Sequence, residues 1–441
     1  MGIKKVGIKQ LTEDRFVEII QKYLMPSSPV RREELLKGRQ GQLEMVRKTL
    51  LSPGRNVFIH GLRGVGKTSL AQTAANLYQR SDSEPVPVAC ERDSTFKQVI
   101  RNICSKLISE SPIRNKVVKN GGVGFAAKGI SAEWRKSIEE GRIPEPASVD
   151  EAITLVGFCS QQKGSTPVIV VDEFDRIEDI KERTKFGDFI KQVGDQGLAA
   201  KFIFCGVGES LEELLADHES AYRYFAGIGL DRLALDPCME IIEQAADKVG
   251  VEVSRDISLR AAWISDGFPH FAHLIGEKLL WRAFEDEEVA DSVTIAHFTG
   301  AIQDAVNDVE RHLKALYDKA TKKYGSDYEY VLWAAADHPD TDRRSADIWE
   351  AYQRITRDLR EEPISRDSFN NRMNSLKKDT HGETLVGTRQ GWYKFRNPML
   401  RGYCRLKAHE RGVELGREHC LEEEKQRGIR STNFFSVIQS Q

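Results

Sequence analysis

Residues Gly61–Leu70 read GLRGVGKTSL, and NVFIHG runs directly into them. The ten residues hold the spacing GxxxxGK[ST], with Gly61 at its head and Gly66, Lys67 and Thr68 at its close. A short β-rich apolar run, a glycine-bearing loop and the helix-forming TSLAQTAANLYQ make a strand–loop–helix unit. Gly61, Gly64 and Gly66 let the backbone curl so that its N–H groups converge on one anion. Lys67 adds a positive charge to that point, Thr68 adds a hydroxyl, and the following helix aims its positive dipole end there. The anion that fits is the phosphate chain of a nucleotide. ATP is therefore expected, with Gly61, Leu62, Arg63, Gly64, Val65, Gly66, Lys67, Thr68 and Ser69 around it and Mg²⁺ on Thr68.

A second run completes this chemistry. PVIVVDEFD is apolar up to Asp172, as a central parallel strand buried on both faces should be. Asp172 stands about 105 residues after the loop lysine and is placed to hold Mg²⁺ through its water shell. Glu173, next to it, is placed to polarise an attacking water. Lys67, Glu173 and a finger arginine are thus the expected catalytic groups. At the end of the next strand, FIFCGVGES, related ATPases carry a polar residue that senses the γ-phosphate, and Cys205 and Gly206, neither a good phosphate or water ligand, stand in its place. Glu209 and Ser210 lie further on. A drifted sensor or slow hydrolysis follows.

The rest of the chain divides by pattern. Residues 1–30 close in MPSSPV, a proline-serine stretch that reads as a linker or extended arm. Strands at NVFIHG, VPVAC, PVIVVDEFD, KFIFCG and GIGLDRL alternate with helices over 31–232, which means an α/β sheet. The β signal then stops, and 233–322 reads as a helical domain. Over 323–410, three helix-like segments precede the hairpin ETLVGTRQGWYKF, the plan of a winged-helix module. Residues 411–441 read as a helix extension with a loose tail. The glycine-rich segment 117–134 interrupts the sheet as a surface excursion or a partner-touching hairpin.

Composition excludes several classes. No apolar run nears the roughly 20 residues that a bilayer span needs, and the start lacks the pattern of a secretion signal. The 7 cysteines include no CxxC pair, which argues for free thiols in a reducing cytoplasm and against a zinc site. Net charge is −2, yet residues 343–411 hold 16 Lys/Arg against 9 Asp/Glu, so one end is locally basic. No repeat of solenoid period is found.

Other candidates carry two readings each. Arg223, in SAYRYF before the fifth strand, can reach a neighbouring subunit's γ-phosphate, or it can pack on the surface beside Tyr222 and Tyr224. Arg232 is the alternative finger. Pro269 and His270, in SDGFPHF, lie against the nucleotide, as resemblance to related ATPases implies, or simply open a helix with Pro at its first position. A histidine there grips phosphate less firmly than an arginine. In the third winged-helix segment, Arg366, Asn370, Arg372, Asn374, Lys377 and Lys378 offer donors for base edges and phosphates. Arg389 and Lys394 could follow the DNA backbone from the wing. Protein docking is the competing use of such a module.

The runs LLKGRQGQLEMV, GLRGVGKTSL, VIVVDEFDRI and GFPHFAHLIG, in this order, resemble the AAA+ and STAND group of P-loop ATPases. Origin-recognition and replication-initiator types and bacterial STAND-like ATPases are the nearest in look, over roughly residues 31–410. The resemblance implies a P-loop parallel sheet in the order 5-1-4-3-2, a helical lid and a C-terminal winged helix. It implies ATP between sheet and lid, with Gly38 and Arg39 near the adenine, and homo-oligomers formed on ATP binding. His270 departs from the family's arginine, and the sensor at the end of the fourth strand is not evident. The function that follows is an ATP-hydrolysing switch that assembles on double-stranded DNA or with a partner protein. The rivals are a DNA-binding regulator with structural nucleotide, and an adaptor ATPase of an antiviral-defence or transposition system.

Overall fold

The computed structural model describes residues 8–79, 84–109, 131–163, 166–208, 211, 219–286 and 291–416. The 117–134 excursion up to residue 130, Glu209, Ser210 and the tail from 417 lie outside them. The chain forms two units. One is Pro29–Asp231, and the other joins Met1–Ser28 to Arg232–Gln441.

In the first unit the apolar runs become five parallel strands: β1 (Asn56–Gly61), β2 (Val86–Ala89), β3 (Val168–Asp172), β4 (Lys201–Val207) and β5 (Phe225–Leu230). Their order is β2-β3-β4-β1-β5, the expected 5-1-4-3-2 read from the other edge. The fifth strand begins at Phe225, two residues ahead of the run GIGLDRL. Phe225 is buried and pairs with Asn56 at the start of β1, so the ladder recruits it. Strands β1, β3 and β4 bury nearly every residue, as central strands covered on both faces must.

The core on one face is aromatic. The Phe204 ring lies 5.5 Å from Phe225, 5.9 Å from Phe58 and 5.4 Å from Phe174. Helices Phe96–Ser109, Val149–Gln161 and Ile180–Asp195 close over it with Phe96, Leu155, Phe186 and Phe189. Phe174 belongs to the turn just after β3. Its full burial pins that turn, and with it the acidic residues on either side.

The second unit is helical, with one small sheet. Residues 13–23, expected as arm or linker, form a helix capped by Thr12. Phe16, Ile19 and Ile20 make its buried stripe at i, i+3 and i+4, and Phe16 stacks on Phe284 at 4.2 Å. Beyond Arg232 come helices Leu235–Val249, Arg255–Ile264, Pro269–Glu285, Ile295–Asp308 and Arg311–Thr321. Helices Ser326–Ala336, Ser345–Asp358 and Arg366–Ser375 follow. The strands β6 (Arg343–Arg344), β7 (Leu385–Arg389) and β8 (Trp392–Phe395) form an antiparallel sheet in the order β6-β8-β7. Helix Pro398–Glu410 packs on Ile295–Asp308, Arg311–Thr321 and Ser326–Ala336, so it is buried on almost all sides.

A buried ionic hub sits within this unit. The Asp266 carboxylate pairs with Arg232, and Arg401 and Arg405 approach the same oxygen at 3.4 and 3.3 Å. Arg405 also caps the carbonyls of Ala336, Trp263 and His338. Arg232 and Arg405 spend donors on backbone carbonyls and on this carboxylate, an economical way to keep arginine out of water. Arg401 instead reaches the His338 and Pro339 carbonyls through Nη2 and leaves Nε and Nη1 buried without a hydrogen-bond partner.

Candidate functional site

The loop of the opening motif lies where β1 gives way to helix Lys67–Tyr78. Gly61 has φ +144°, and a Cβ there would stand 2.3 Å from the Leu230 carbonyl oxygen on β5. Gly66 caps the helix at φ +96°, a conformation that L side chains resist. Leu62, Arg63, Gly64 and Val65 make the bend between them, with Gly64 at φ +83°. The Lys67 side chain folds back over this bend. Its Nζ donates to the carbonyls of Gly61 at 3.0 Å and Leu62 at 2.8 Å. Burial lowers the pKa of this ammonium, and the carboxylates of Asp175 and Asp172 oppose the shift.

Thr68 Oγ1 donates to Asp172 Oδ2 at 2.7 Å, bringing together two groups 104 residues apart in the chain. Burial raises the Asp172 carboxyl pKa, while the bonds from Thr68 and from the Glu173 N–H pull it back. These are two oxygen donors of the hard kind that Mg²⁺ takes, in a site that phosphate oxygens and water would complete. Among the described residues, no cluster of three or more His, Cys, Asp or Glu is arranged to hold a metal. The oxygen pair therefore suits a nucleotide-bound ion better than an all-protein cage.

Glu173 follows at φ +54°, left-handed and unusual for a non-glycine residue. Its N–H donates to Asp172 Oδ1 at 2.9 Å, and its carboxylate accepts from Arg176 Nη1 at 2.7 Å. Asp175 Oδ1 accepts from the Val207 N–H at 2.7 Å, at the tip of β4. Cys205 and Gly206 are buried in β4. The Cys205 thiol donates weakly to the Lys67 carbonyl, and burial raises its pKa, so it stays neutral. Cys90, at the end of β2, is pushed up to about 12, again chiefly by burial.

Flanking residues build the frame. Ser69 accepts from the Val30 N–H at 3.1 Å, tying the incoming chain to the loop helix. Gly38 turns at φ +65° just before Arg39. Arg39 is buried and donates to the Val65 carbonyl at 3.1 Å and to the Asp231 carbonyl, so it braces the loop from beneath. Arg223 is exposed on the short 3-10 helix before β5, its guanidinium 4.9 Å from the Tyr224 ring.

In the other unit, Pro269 opens its helix and His270 Nδ1 lies 2.7 Å from the Pro26 carbonyl. Arg232 is committed internally to Asp266 and to the Pro339 carbonyl at 2.7 Å. The proposed nucleic-acid contacts split into two groups. Arg366 packs over the rings of Trp349 and Phe369 and donates to the Ser345 carbonyl. Arg372 lies over Tyr328 and 3.8 Å from Asp327. Both are held inside the module. Asn370, Asn374, Lys378 and Arg389 are exposed, Lys377 and Lys394 partly so. Arg389 lies 3.8 Å from the centre of the Trp392 ring and Lys377 5.4 Å from that of Tyr393.

Asp175 and Arg176 did not figure among the sequence candidates. Their signal was present in the run DEFDR, since a residue two or three places after Glu173 shares its turn. Nothing in the sequence pointed to Val207 as the partner.

Residues 50–215 match the family model of the AAA domain. That span holds the loop, Asp172, Glu173 and four of the five strands. A Walker-type ATPase of Pyrococcus abyssi superposes with a TM-score of 0.51 at 16% identity, over 86% of this chain and 100% of that one. At such identity the likeness is one of fold. The ORC1 protein of Aeropyrum pernix, solved in complex with DNA, gives 0.42 at 16% identity over 84% of this chain and 92% of that one. The RuvB Holliday junction branch migration motor of Thermotoga maritima gives 0.39 at 12% identity over 87% and 98%. These two overlaps are too loose to carry an argument about this chain. No curated protein sequence matches it.

Proposed function

Taking residues 50–215 as an AAA domain on a P-loop ATPase fold, we propose that this chain is an ATP-binding and slowly hydrolysing switch. The observation that carries the reading is the convergence of Lys67, Thr68 and Asp172, with Thr68 and Asp172 2.7 Å apart and Glu173 beside them. On binding, the Lys67 ammonium leaves the carbonyls of Gly61 and Leu62 for the β- and γ-phosphates. The loop N–H groups and the helix end share that charge. Thr68 and Asp172 would hold Mg²⁺, which would supply neutralisation of the phosphoryl oxygens.

In the hydrolytic step, a water oxygen bonds to the γ-phosphorus and the bond from that phosphorus to the bridging oxygen breaks. The Glu173 carboxylate takes the water's proton. To do so it must exchange its contact with Arg176 for one with the water. The apolar Cys205–Gly206 stretch supports slow turnover. Arg223, exposed ahead of β5, would complete a neighbouring copy's site in a homo-oligomer by leaving its contact with Tyr224.

The output is assembly on double-stranded DNA or with a partner protein, through the C-terminal module read as a winged helix. The exposed Asn370, Asn374, Lys378 and Arg389 support DNA. The internal commitment of Arg366 and Arg372 favours a second reading, a protein-docking module. Six buried free thiols support a cytoplasmic setting, and no described helix is long and apolar enough to cross a membrane. ATP shifts assembly only by binding one arrangement of the chain better than the other.

The test is sizing of the full chain with and without ATP and a DNA duplex, alongside Lys67→Ala. Loss of ATP binding together with ATP-dependent assembly in the variant is expected. Assembly that persists unchanged in Lys67→Ala would overturn the switch.

A further inference from the structure

Three acidic side chains, Asp172 at the end of β3 and Glu173 and Asp175 just after it, lie within four residues, and each has its own partner. Asp172 takes Thr68, Glu173 takes Arg176, and Asp175 takes the backbone of Val207. The last pairing has a topological cause. The β3–β4 ladder ends at Val171 and Phe204, because after Asp172, still paired with Ala89 of β2, the chain leaves the sheet and turns through the left-handed Glu173. On its other side, β4 continues to pair with β1 as far as Gly206 opposite His60. The tip of β4 therefore runs past its neighbour, and the Asp175 carboxylate takes the place of the missing strand. One residue further, Gly208 bridges Gly61, the first residue of the phosphate loop.

Val207 is 40% exposed, so water could serve its N–H equally well. The bond thus matters more for placement than for stability. Left-handed backbone at a glutamate persists only where its surroundings hold it. Beside the buried Phe174 ring, three hydrogen bonds do so here: the Glu173 N–H to Asp172, the Arg176 N–H to the Glu173 carbonyl at 2.9 Å, and Asp175 to Val207. Only the last reaches outside the turn by a hydrogen bond, and it reaches the strand tip that pairs with the loop.

We propose that Asp175 is a positioning residue for hydrolysis, locking the turn that carries Glu173 onto the tip of β4. It supplies from β3 the registration that Cys205 and Gly206 cannot give from β4. The proposal rests on reading this site as an ATP hydrolysis site. A competing role uses charge alone, since the Asp175 carboxylate also helps keep the buried Lys67 ammonium protonated.

Asp175→Asn separates the two, because the amide oxygen still accepts from Val207 while the charge is gone. Asp175→Ala removes both. On the full chain, Mg·ATP turnover, ATP affinity, melting temperature and hydrogen exchange at the Val207 amide are measured for wild type and both variants. In Asp175→Ala, kcat falls about tenfold or more while ATP affinity stays within about threefold. Val207 exchange quickens and melting barely moves. In Asp175→Asn, kcat stays within about threefold of wild type and Val207 stays protected, a rescue that loss of fold would not give.

Two results overturn the proposal. One is Asp175→Asn as slow as Asp175→Ala with Val207 still protected, which assigns the effect to charge. The other is wild-type turnover in Asp175→Ala. If the wild type binds ATP without turnover, the hydrolysis reading itself falls. Val207 exchange unchanged in Asp175→Ala would then dispose of the brace as well.

Discussion

The proposed hydrolysis places its base at Glu173. Its backbone is left-handed, its carboxylate is paired with Arg176, and both groups of the pair are about half exposed, at 48% and 54%. Such a pair is worth ~0–1 kcal/mol, so it can be exchanged for a contact with water at little cost. Glu173→Gln keeps the shape and removes the base. ATP binding should persist within a few-fold, while single-turnover hydrolysis drops on the order of 10²-fold or more. Equal hydrolysis by the two proteins would remove Glu173 from its role. Asp172, Glu173 and Lys67 were all legible in the sequence, because a motif fixes residue type and spacing together. Asp175 was not, because its partner is a backbone N–H on a strand that the sequence does not join to it.

The strand–loop–helix element shows how backbone geometry, more than side-chain chemistry, sets the approach to the loop. Gly61 pairs with Leu230 in the β1–β5 ladder, and an added Cβ would lie 2.3 Å from a carbonyl oxygen. Gly61→Ala must therefore push β1 and β5 apart or abandon φ +144°. A loss of roughly 2–4 kcal/mol is expected in denaturant melts, the range of overpacking plus a strained backbone. Gly41→Ala is the counterpart. Gly41 lies exposed within helix Gln40–Leu51, with nothing within 4 Å of a built Cβ. There the substitution should stabilise by about 0.5–1 kcal/mol. Opposite signs in the two melts check the argument. The same element scale explains the missed helix Glu13–Tyr23. Its short amphipathic stripe is evident only once Trp281 and Phe284 are present to cover it.

At the scale of the molecule, titration separates the two units. His273 is buried and His409 half-buried in the unit that joins the two ends of the chain, and desolvation lowers each to about 4. His270 lowers His273 further, and Arg260 does the same for His409. His273 accepts a hydrogen bond from the Met25 N–H, which requires the neutral ring. The unfolded chain binds these protons near pH 6.5 and the folded chain only near pH 4. Stability is thus fully present above about pH 6.5 and lost as pH falls toward about 4, by up to ~3 kcal/mol per histidine. Melting of the wild type should fall across that window, and His273→Gln, which can still accept from Met25, should flatten the fall. A flat wild-type profile between pH 6.5 and 4 would show that neither ring is held neutral.

The sequence by itself determined the parallel sheet, its strand order through a family resemblance, the glycine loop between β1 and its helix, and the acidic pair at the end of β3. Those features are written in contiguous runs, where periodicity and spacing carry the physics. Only the tertiary structure decided which donors are spent and which are free. It packed Arg39 beneath the loop, Arg232 against Asp266, and Arg366 and Arg372 within their module, and it set Asp175 against Val207. Guanidinium and carboxylate groups find partners by proximity across the fold, at separations that a linear pattern does not encode.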